Sequence, residues 1–318
     1  MDINTSLWQI CRFHQREFKL PLGFPSKAYY INYVITCIVN VFLTISTVSL
    51  NTVTILAYWR SKQLRRKTTY FLIMLLSFVD LATGLLGNSC FVLLLVKILL
   101  HDPDCTIYVF LENISLSLAG MSFMTLLLLN IERYLCIVHP FFHRNKVTKL
   151  KLFIIATALW SCAIASTLCR LFLNQIGRIL TSVVILISFV SFIFIYASIF
   201  RTSQTGRRVS ERSNTEHKDR NTAQDLRLAK SCAIVVGCTF LCVIPFAVTN
   251  SLAPFTFLTL SLAYWSCTLG LSSSTLNSLI FFWRNPVLRT EAKVLLRLAN
   301  IKAIRNTSVV SGETTHNR

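Results

Sequence analysis

The sequence predicts an all-α membrane protein, a seven-transmembrane helix bundle followed by a short amphipathic eighth helix. Three observations carry that reading. Seven apolar stretches succeed one another, each roughly 20 residues or longer and so able to cross a hydrocarbon core about 30 Å thick. Hydrophobic residues make up 53% of the 318 and charged residues only 14%, well below the share in a soluble domain. The 32 Lys and Arg outnumber the 13 Asp and Glu, yet they sit between the apolar stretches rather than on one water-soluble face. The imbalance therefore reports membrane topology, and nucleic acid is not an expected partner. The same composition excludes a disordered chain, a coiled coil and a collagen-like rod.

In order, the stretches run from Tyr33 to Trp59, Tyr70 to Leu94, Ile107 to Ile131, Leu152 to Leu171, Ile179 to Phe200, Cys232 to Leu252 and Phe257 to Trp283. Backbone amides in hydrocarbon must be satisfied within their own segment, so runs of this length without period-two alternation are helices, not barrel strands. The chain thus divides into an N-terminal tail (1–32), the bundle (33–283), a juxtamembrane helix (284–298) and a C-terminal tail (299–318). In the juxtamembrane helix Arg289, Lys293 and Arg297 alternate with Val287, Leu295 and Leu296, as in a helix lying on a membrane surface.

Orientation follows from the cations. Of the 32, 25 fall in the connections after the first, third and fifth stretches and in the tail, which marks these as cytoplasmic. The N-terminus is then extracellular and the C-terminus cytoplasmic, in a multi-pass plasma-membrane protein whose basic loops neighbour acidic lipid headgroups. No basic n-region precedes a short apolar stretch, so the first span is expected to act as the insertion signal. Asn4-Thr5-Ser6 is a glycosylation sequon on the outer side; Asn113-Ile114-Ser115 and Asn306-Thr307-Ser308 fit the pattern but fall in a helix and in cytosol.

Most of the eleven cysteines lie inside spans, where Cys is a small apolar residue. Cys105, before the third span, and Cys169, at the outer end of the fourth, lie where oxidation can occur and are expected to pair. Cys11, Cys90 and Cys267 compete as partners. The six histidines occupy tails and loops without metal-ligand spacing, and no glycine-rich phosphate loop is present, so no enzyme chemistry is expected. A transporter or channel would show repeated halves or several intramembrane charges, and neither is found.

Ionisable residues within spans are costly, so each one asks for a reason. Asp80 lies mid-membrane in the second span. It reads either as a protonated carboxyl bonded to a neighbour or as the centre of a hydrated pocket for a monovalent cation, with Ser122, Ser273, Ser274 and Asn277 supplying further oxygens. Sodium, as an allosteric ion, is the only cofactor this allows. Glu112, nearer the outer mouth of the third span, either faces water or meets a cationic ligand.

At the inner end of that span stands Glu132-Arg133-Tyr134-Leu135-Cys136-Ile137-Val138-His139-Pro140. This nonapeptide resembles the E/D-R-Y motif of rhodopsin-like (class A) G-protein-coupled receptors, with the Ile and Pro that follow it there. Asn51, Asp80, Trp160, Tyr196 and Pro245 match family positions in successive spans, and Asn277-Ser278-Leu279-Ile280-Phe281 resembles N-P-x-x-Y with Ser for Pro and Phe for Tyr. The resemblance covers about residues 30 to 298. Arg284, Leu288-Arg289 and Ser188 are similar to the melanocortin and adenosine receptors.

The resemblance implies a receptor that activates a heterotrimeric G protein when an extracellular small molecule, lipid-like ligand or short peptide binds; arrestin and receptor kinases are further implied partners. It implies an inactive state in which Arg133 pairs with Glu132 and Asp225, and an activation step in which the sixth helix swings about Pro245 while Tyr134, Tyr196, Asn277 and Phe281 rearrange. Glu112, Ser115, Leu116 and Ala119 on the third span, Val243, Phe246, Ala247 and Asn250 on the sixth, and Tyr264, Cys267 and Leu271 on the seventh are expected to line the ligand cavity.

The departures are as specific as the matches. Val243 stands where a Trp is usual, and Cys105 precedes Arg133 by 28 residues rather than 25. Ser115 occupies the place of the Asp of amine receptors, which disfavours a monoamine unless Glu112 substitutes. Val243, Ser278 and Phe281 motivate the alternative of a signalling-deficient decoy receptor.

Overall fold

The structure is a computed structural model and describes residues 7–13, 16–172, 174–210, 216–251, 256–295 and 297; residues 203–210, 216–228 and a few others are described by backbone alone. Among the described residues seven long helices follow one another: Lys27–Arg60, Thr68–Leu99, Cys105–Val138, Lys149–Phe172, Asn174–Ser210, Glu216–Ser251 and Phe257–Arg284. Two short helices, Lys62–Arg66 and Pro140–Lys146, sit in the connections after the first and third long helices, and residues 286–295 are helical beyond Asn285. Asp80 packs at the centre, where the second, third and seventh helices meet.

Capping chemistry explains several boundaries. The Asp104 carboxylate accepts from the backbone amides of Ile107 at 3.1 Å and Thr106 at 2.8 Å, ending the approach to the third helix; those amides hold its carboxyl below the usual range. Pro140 opens the short loop helix at its first turn, where a missing N–H costs nothing. Thr256 and Thr259 form a capping box at the start of the seventh helix. Pro245 lies inside the sixth helix, and the hydroxyl of Thr249 donates to its carbonyl.

Outward apolar side chains such as Phe42, Ile45, Ile154, Leu186 and Phe194 are exposed, as lipid-facing residues must be. Five segments are long and apolar enough to cross a membrane: the first four helices and Val183–Thr202; Ala229–Pro245 is a shorter apolar helix. The seventh helix is as long but carries Thr268, Ser272, Ser273, Ser274, Thr275, Asn277 and Ser278. Ser272 and Ser273 donate to carbonyls of their own helix, while other groups turn to neighbouring helices. Thr268 accepts from Asn40 at 2.8 Å, and Thr275 and Thr47 share a hydrogen bond of 2.5 Å.

A π-helical stretch, Thr83–Asn88, interrupts the second helix one residue beyond the Ala82 end of its inner half. Gly84 within it lets the first helix approach: a Cβ there would lie 3.0 Å from Val48 and 3.1 Å from Thr47.

The tail is not featureless. Trp8–Phe13 and Arg16–Pro21 pair antiparallel, with Cys11 opposite Phe18 and Arg12 opposite Glu17, and the first helix starts at Lys27, six residues before Tyr33. The all-α reading thus gains a β-hairpin. Strand alternation puts Arg12 and Glu17 on the outer face, where they form an exposed ion pair at 3.1 Å, while Cys11 and Leu20 are 2% and 1% exposed. The expected bridge from Cys105 to Cys169 is corrected: Cys105 is bonded to Cys11, and Cys169 is free. The hairpin brings the Cα of Cys11 to 5.7 Å from that of Cys105, within disulfide reach.

Candidate functional site

Three polar groupings occupy the bundle. At its centre the hydroxyl of Ser122 donates to Oδ1 of Asp80 at 2.8 Å, and Nδ2 of Asn277 donates to Oδ2 at 3.0 Å. Ser274 also reaches the carboxylate. All four are buried. Ser273 stands apart, its hydroxyl donating to the carbonyl of Gly270 at 2.7 Å. The Asp80 carboxylate is thus held by donors from the third and seventh helices, and with the Ser122 and Ser274 hydroxyls it supplies the oxygens that could meet a cation here. Beside this grouping Asn51 donates to the carbonyl of Thr47 and accepts from Ser278 at 2.5 Å.

At one end of the bundle Glu132 is a hub. Both of its oxygens are engaged by Arg133, Nε to Oε2 and Nη2 to Oε1, each at 2.7 Å, and the two side chains are 0% and 3% exposed. Thr68 donates to Oε1 at 2.6 Å, Thr69 lies 3.2 Å from Oε2, and Nε2 of His143 is 2.9 Å from Oε1. A carboxylate with this many donors outweighs the cost of its burial. The second helix and the short loop helix therefore hold the clamp as much as Arg133 does. The Tyr134 ring lies against His139, its hydroxyl 3.5 Å from Nε2. Tyr196 donates to Oδ1 of Asn130, three residues before Arg133, and Trp160 donates to Thr125 at 2.9 Å. Phe281 is buried in the apolar core with Leu72, Ile73 and Leu76. The side chain of Asp225 lies outside the described residues.

At the opposite end Glu112 pairs with Nη2 of Arg170 on the fourth helix at 3.3 Å, the two being 14% and 9% exposed. Ser115 faces the second and seventh helices: a Cβ on Gly87 would lie 3.5 Å from its Oγ and 3.7 Å from Leu271. Tyr264 and Leu271 pack into a cluster with Tyr33, Phe91 and Leu111, with Cys267 against it. Ala119 is exposed, one turn above buried Ser122, while Leu116 and Val243 are half-buried. The side chains of Phe246, Ala247 and Asn250, and all of Asn4, lie outside the described residues.

Residues 50–179 match the family model described as 7 transmembrane receptor (rhodopsin family). The chain is 24% identical over 292 residues to the 5-hydroxytryptamine receptor 4 of Rattus norvegicus, covering 77% of this chain and 72% of that one. The same receptor of Cavia porcellus gives 24% over 294 residues, 77% of this chain and 75% of that one. A third relative, the 5-hydroxytryptamine receptor 2B of Dichotomyctere fluviatilis, is 32% identical over 130 residues, 39% of this chain and 26% of that one. All of these matches are to rhodopsin-family seven-transmembrane receptors. The likeness of this receptor to melanocortin and adenosine receptors rests on Arg284, Leu288-Arg289 and Ser188 alone, while these relatives are serotonin receptors.

The receptor's motif residues were legible one at a time, but their partners were not. Thr68, Thr69, Asn130 and Arg170 belong to no motif that would mark them. For His143 a signal existed: Pro140 at a helix N-terminus predicts a turn that places a residue three positions on back beside the motif. Nothing in the order of residues marked Arg170 as the partner of Glu112.

Proposed function

We propose that the receptor converts binding of an extracellular small molecule, lipid-like ligand or short peptide into nucleotide exchange on a heterotrimeric G protein. The observation that carries this reading is the buried Arg133–Glu132 pair at the cytoplasmic end, held from three directions by Thr68, Thr69 and His143. A guanidinium closed on its neighbouring carboxylate is a stored contact. A ligand that binds the opened arrangement more tightly releases it, and each preference of about 1.4 kcal/mol moves the ratio of states tenfold. The freed Arg133 would then be offered to the G protein, with Asp225 contributing to the closed state and Pro245 serving as the pivot of the sixth helix.

The ligand is uncharged in this reading. The similar serotonin receptors are named for a cationic amine, whereas here Ser115 stands where amine receptors carry Asp and the Glu112 carboxylate is engaged by Arg170. Asp80, Ser122, Ser274 and Asn277 would hold sodium, which would favour the closed state, because their oxygens are gathered only while the helices stay together. The N-terminus would be extracellular, carrying glycan at Asn4, and the basic inner face would meet acidic lipids, arrestin and receptor kinases.

The test is guanine-nucleotide exchange on reconstituted G proteins across a chemically broad ligand library, with and without Arg133→Ala. Exchange that is ligand-dependent in the native receptor and absent from a normally expressed Arg133→Ala variant supports the reading. Unchanged exchange in that variant overturns it.

A further inference from the structure

We infer that the N-terminal hairpin is the roof of the receptor's ligand cavity. Its seats lie on the inward stripes of two helices. Phe18 stacks on Tyr108, with ring centroids 4.7 Å apart, and Tyr108 heads the helical stripe that continues through Glu112, Ser115 and Ala119 to Ser122. Trp8 stacks on Phe257 at 4.2 Å, and Phe257 heads the stripe that continues through Tyr264 and Thr268 to Leu271. The hairpin therefore spans the outer mouth from the third helix to the seventh, directly above the residues expected to meet ligand.

Its attachment is covalent at one end and packed at the other. Cys11 is bonded to Cys105 at the first residue of the third helix. Beyond the second strand, Leu22 donates its N–H to the carbonyl of Leu7 at 2.8 Å, and its own carbonyl lies 2.8 Å from Nδ1 of His101. Phe24 then packs edge-on against Tyr33 at 5.0 Å. No other described segment can take this place: the fourth helix ends at Phe172 and the fifth begins at Asn174. Gly177 fits that tight junction, since a Cβ there would fall 2.3 Å from the Cα of Arg170. The contacts that seat the roof, Trp8 on Phe257 and Phe18 on Tyr108, are aromatic, which suits the uncharged ligand of the reading above; the test below measures access alone and does not depend on G-protein coupling.

The probe is trimethylammonium-ethyl methanethiosulfonate, a cationic, membrane-impermeant thiol reagent, applied to intact cells bearing Ser115→Cys, with the receptor lacking that substitution as background. Ser115→Cys is expected to label slowly with the hairpin seated. Labelling should be faster by about tenfold or more in Trp8→Ala, which keeps the disulfide, and after an impermeant phosphine opens Cys11–Cys105, since tenfold corresponds to about 1.4 kcal/mol of seating lost. Asp102→Cys, outside the roof, should label equally fast in every state and reports reagent and expression. Equal rates for Ser115→Cys in the seated and released states, whether both fast or both negligible, overturn the inference.

Discussion

Ser278 donates its hydroxyl to Oδ1 of Asn51 across 2.5 Å, tying the seventh helix to the first at the position where the family keeps a proline. Both residues are buried, and the seventh helix runs unbroken from Phe257 to Arg284. The substitution therefore exchanges a kink for a cross-helix hydrogen bond. Ser278→Ala should lower stability by about 1 to 3 kcal/mol, because it leaves a buried amide oxygen one donor short. Ser278→Pro should cost about 3 kcal/mol or more, since it also removes a helical hydrogen bond. Thermal denaturation of the purified receptor checks both; a neutral Ser278→Ala would show that the bond contributes nothing.

The hub at Glu132 makes His143 a test of the clamp that leaves Arg133 in place. His143→Ala removes a donor 2.9 Å from the carboxylate and one wall of the cluster. Hydrogen bonds to charged groups contribute about 1.5 to 3 kcal/mol, so ligand-free exchange should rise by about tenfold or more. Thr68→Val should act in the same direction. Basal nucleotide exchange at matched surface expression is the measurement, and an unchanged basal rate in both variants would show that the loop does not restrain the pair.

Glu112 and Arg170 form a pair between the third and fourth helices in a poorly hydrated setting. Glu112→Ala strands a largely buried guanidinium and should destabilise the receptor by about 3 to 5 kcal/mol. Glu112→Leu combined with Arg170→Leu should recover much of that loss, because neither charge is then left alone. A double-mutant cycle on melting temperature decides it; additive losses would mean the two do not interact.

For the Asp80 grouping the expected outcome is ionic. Replacing potassium by sodium at constant ionic strength should raise the melting temperature of the native receptor and leave Asp80→Asn unmoved. Ser273→Ala should respond to sodium as the native receptor does, since its hydroxyl points to Gly270. A native receptor indifferent to sodium would exclude the ion.

How much could be read beforehand differed between elements for physical reasons. The predicted seventh span, Phe257 to Trp283, matches the observed Phe257–Arg284 because helix length and capping are local properties. The fifth and sixth helices run well past the apolar limits, to Ser210 and from Glu216, because a helix can leave the membrane without ending and hydropathy reports only the immersed part. The hairpin escaped notice since its strands are six residues each and alternate only weakly. Ser122, Asn277 and Asp80 bond to one another because intramembrane polar groups have few places to go, whereas Ser273, one residue from Ser274, faces its own backbone.

The order of residues alone determined that the chain is a bundle of membrane helices and that Glu132-Arg133-Tyr134 lies near the C-terminal end of the third helix, since both follow from length, composition or adjacency. Only the tertiary structure decided that Cys105 takes Cys11 rather than Cys169, that Glu112 meets Arg170, and that Thr68 and His143 hold Glu132. Those pairings join residues 94, 58, 64 and 11 positions apart. Which of several chemically suitable partners comes within bonding distance is set by how helices and hairpin pack, and a linear pattern does not record that distance.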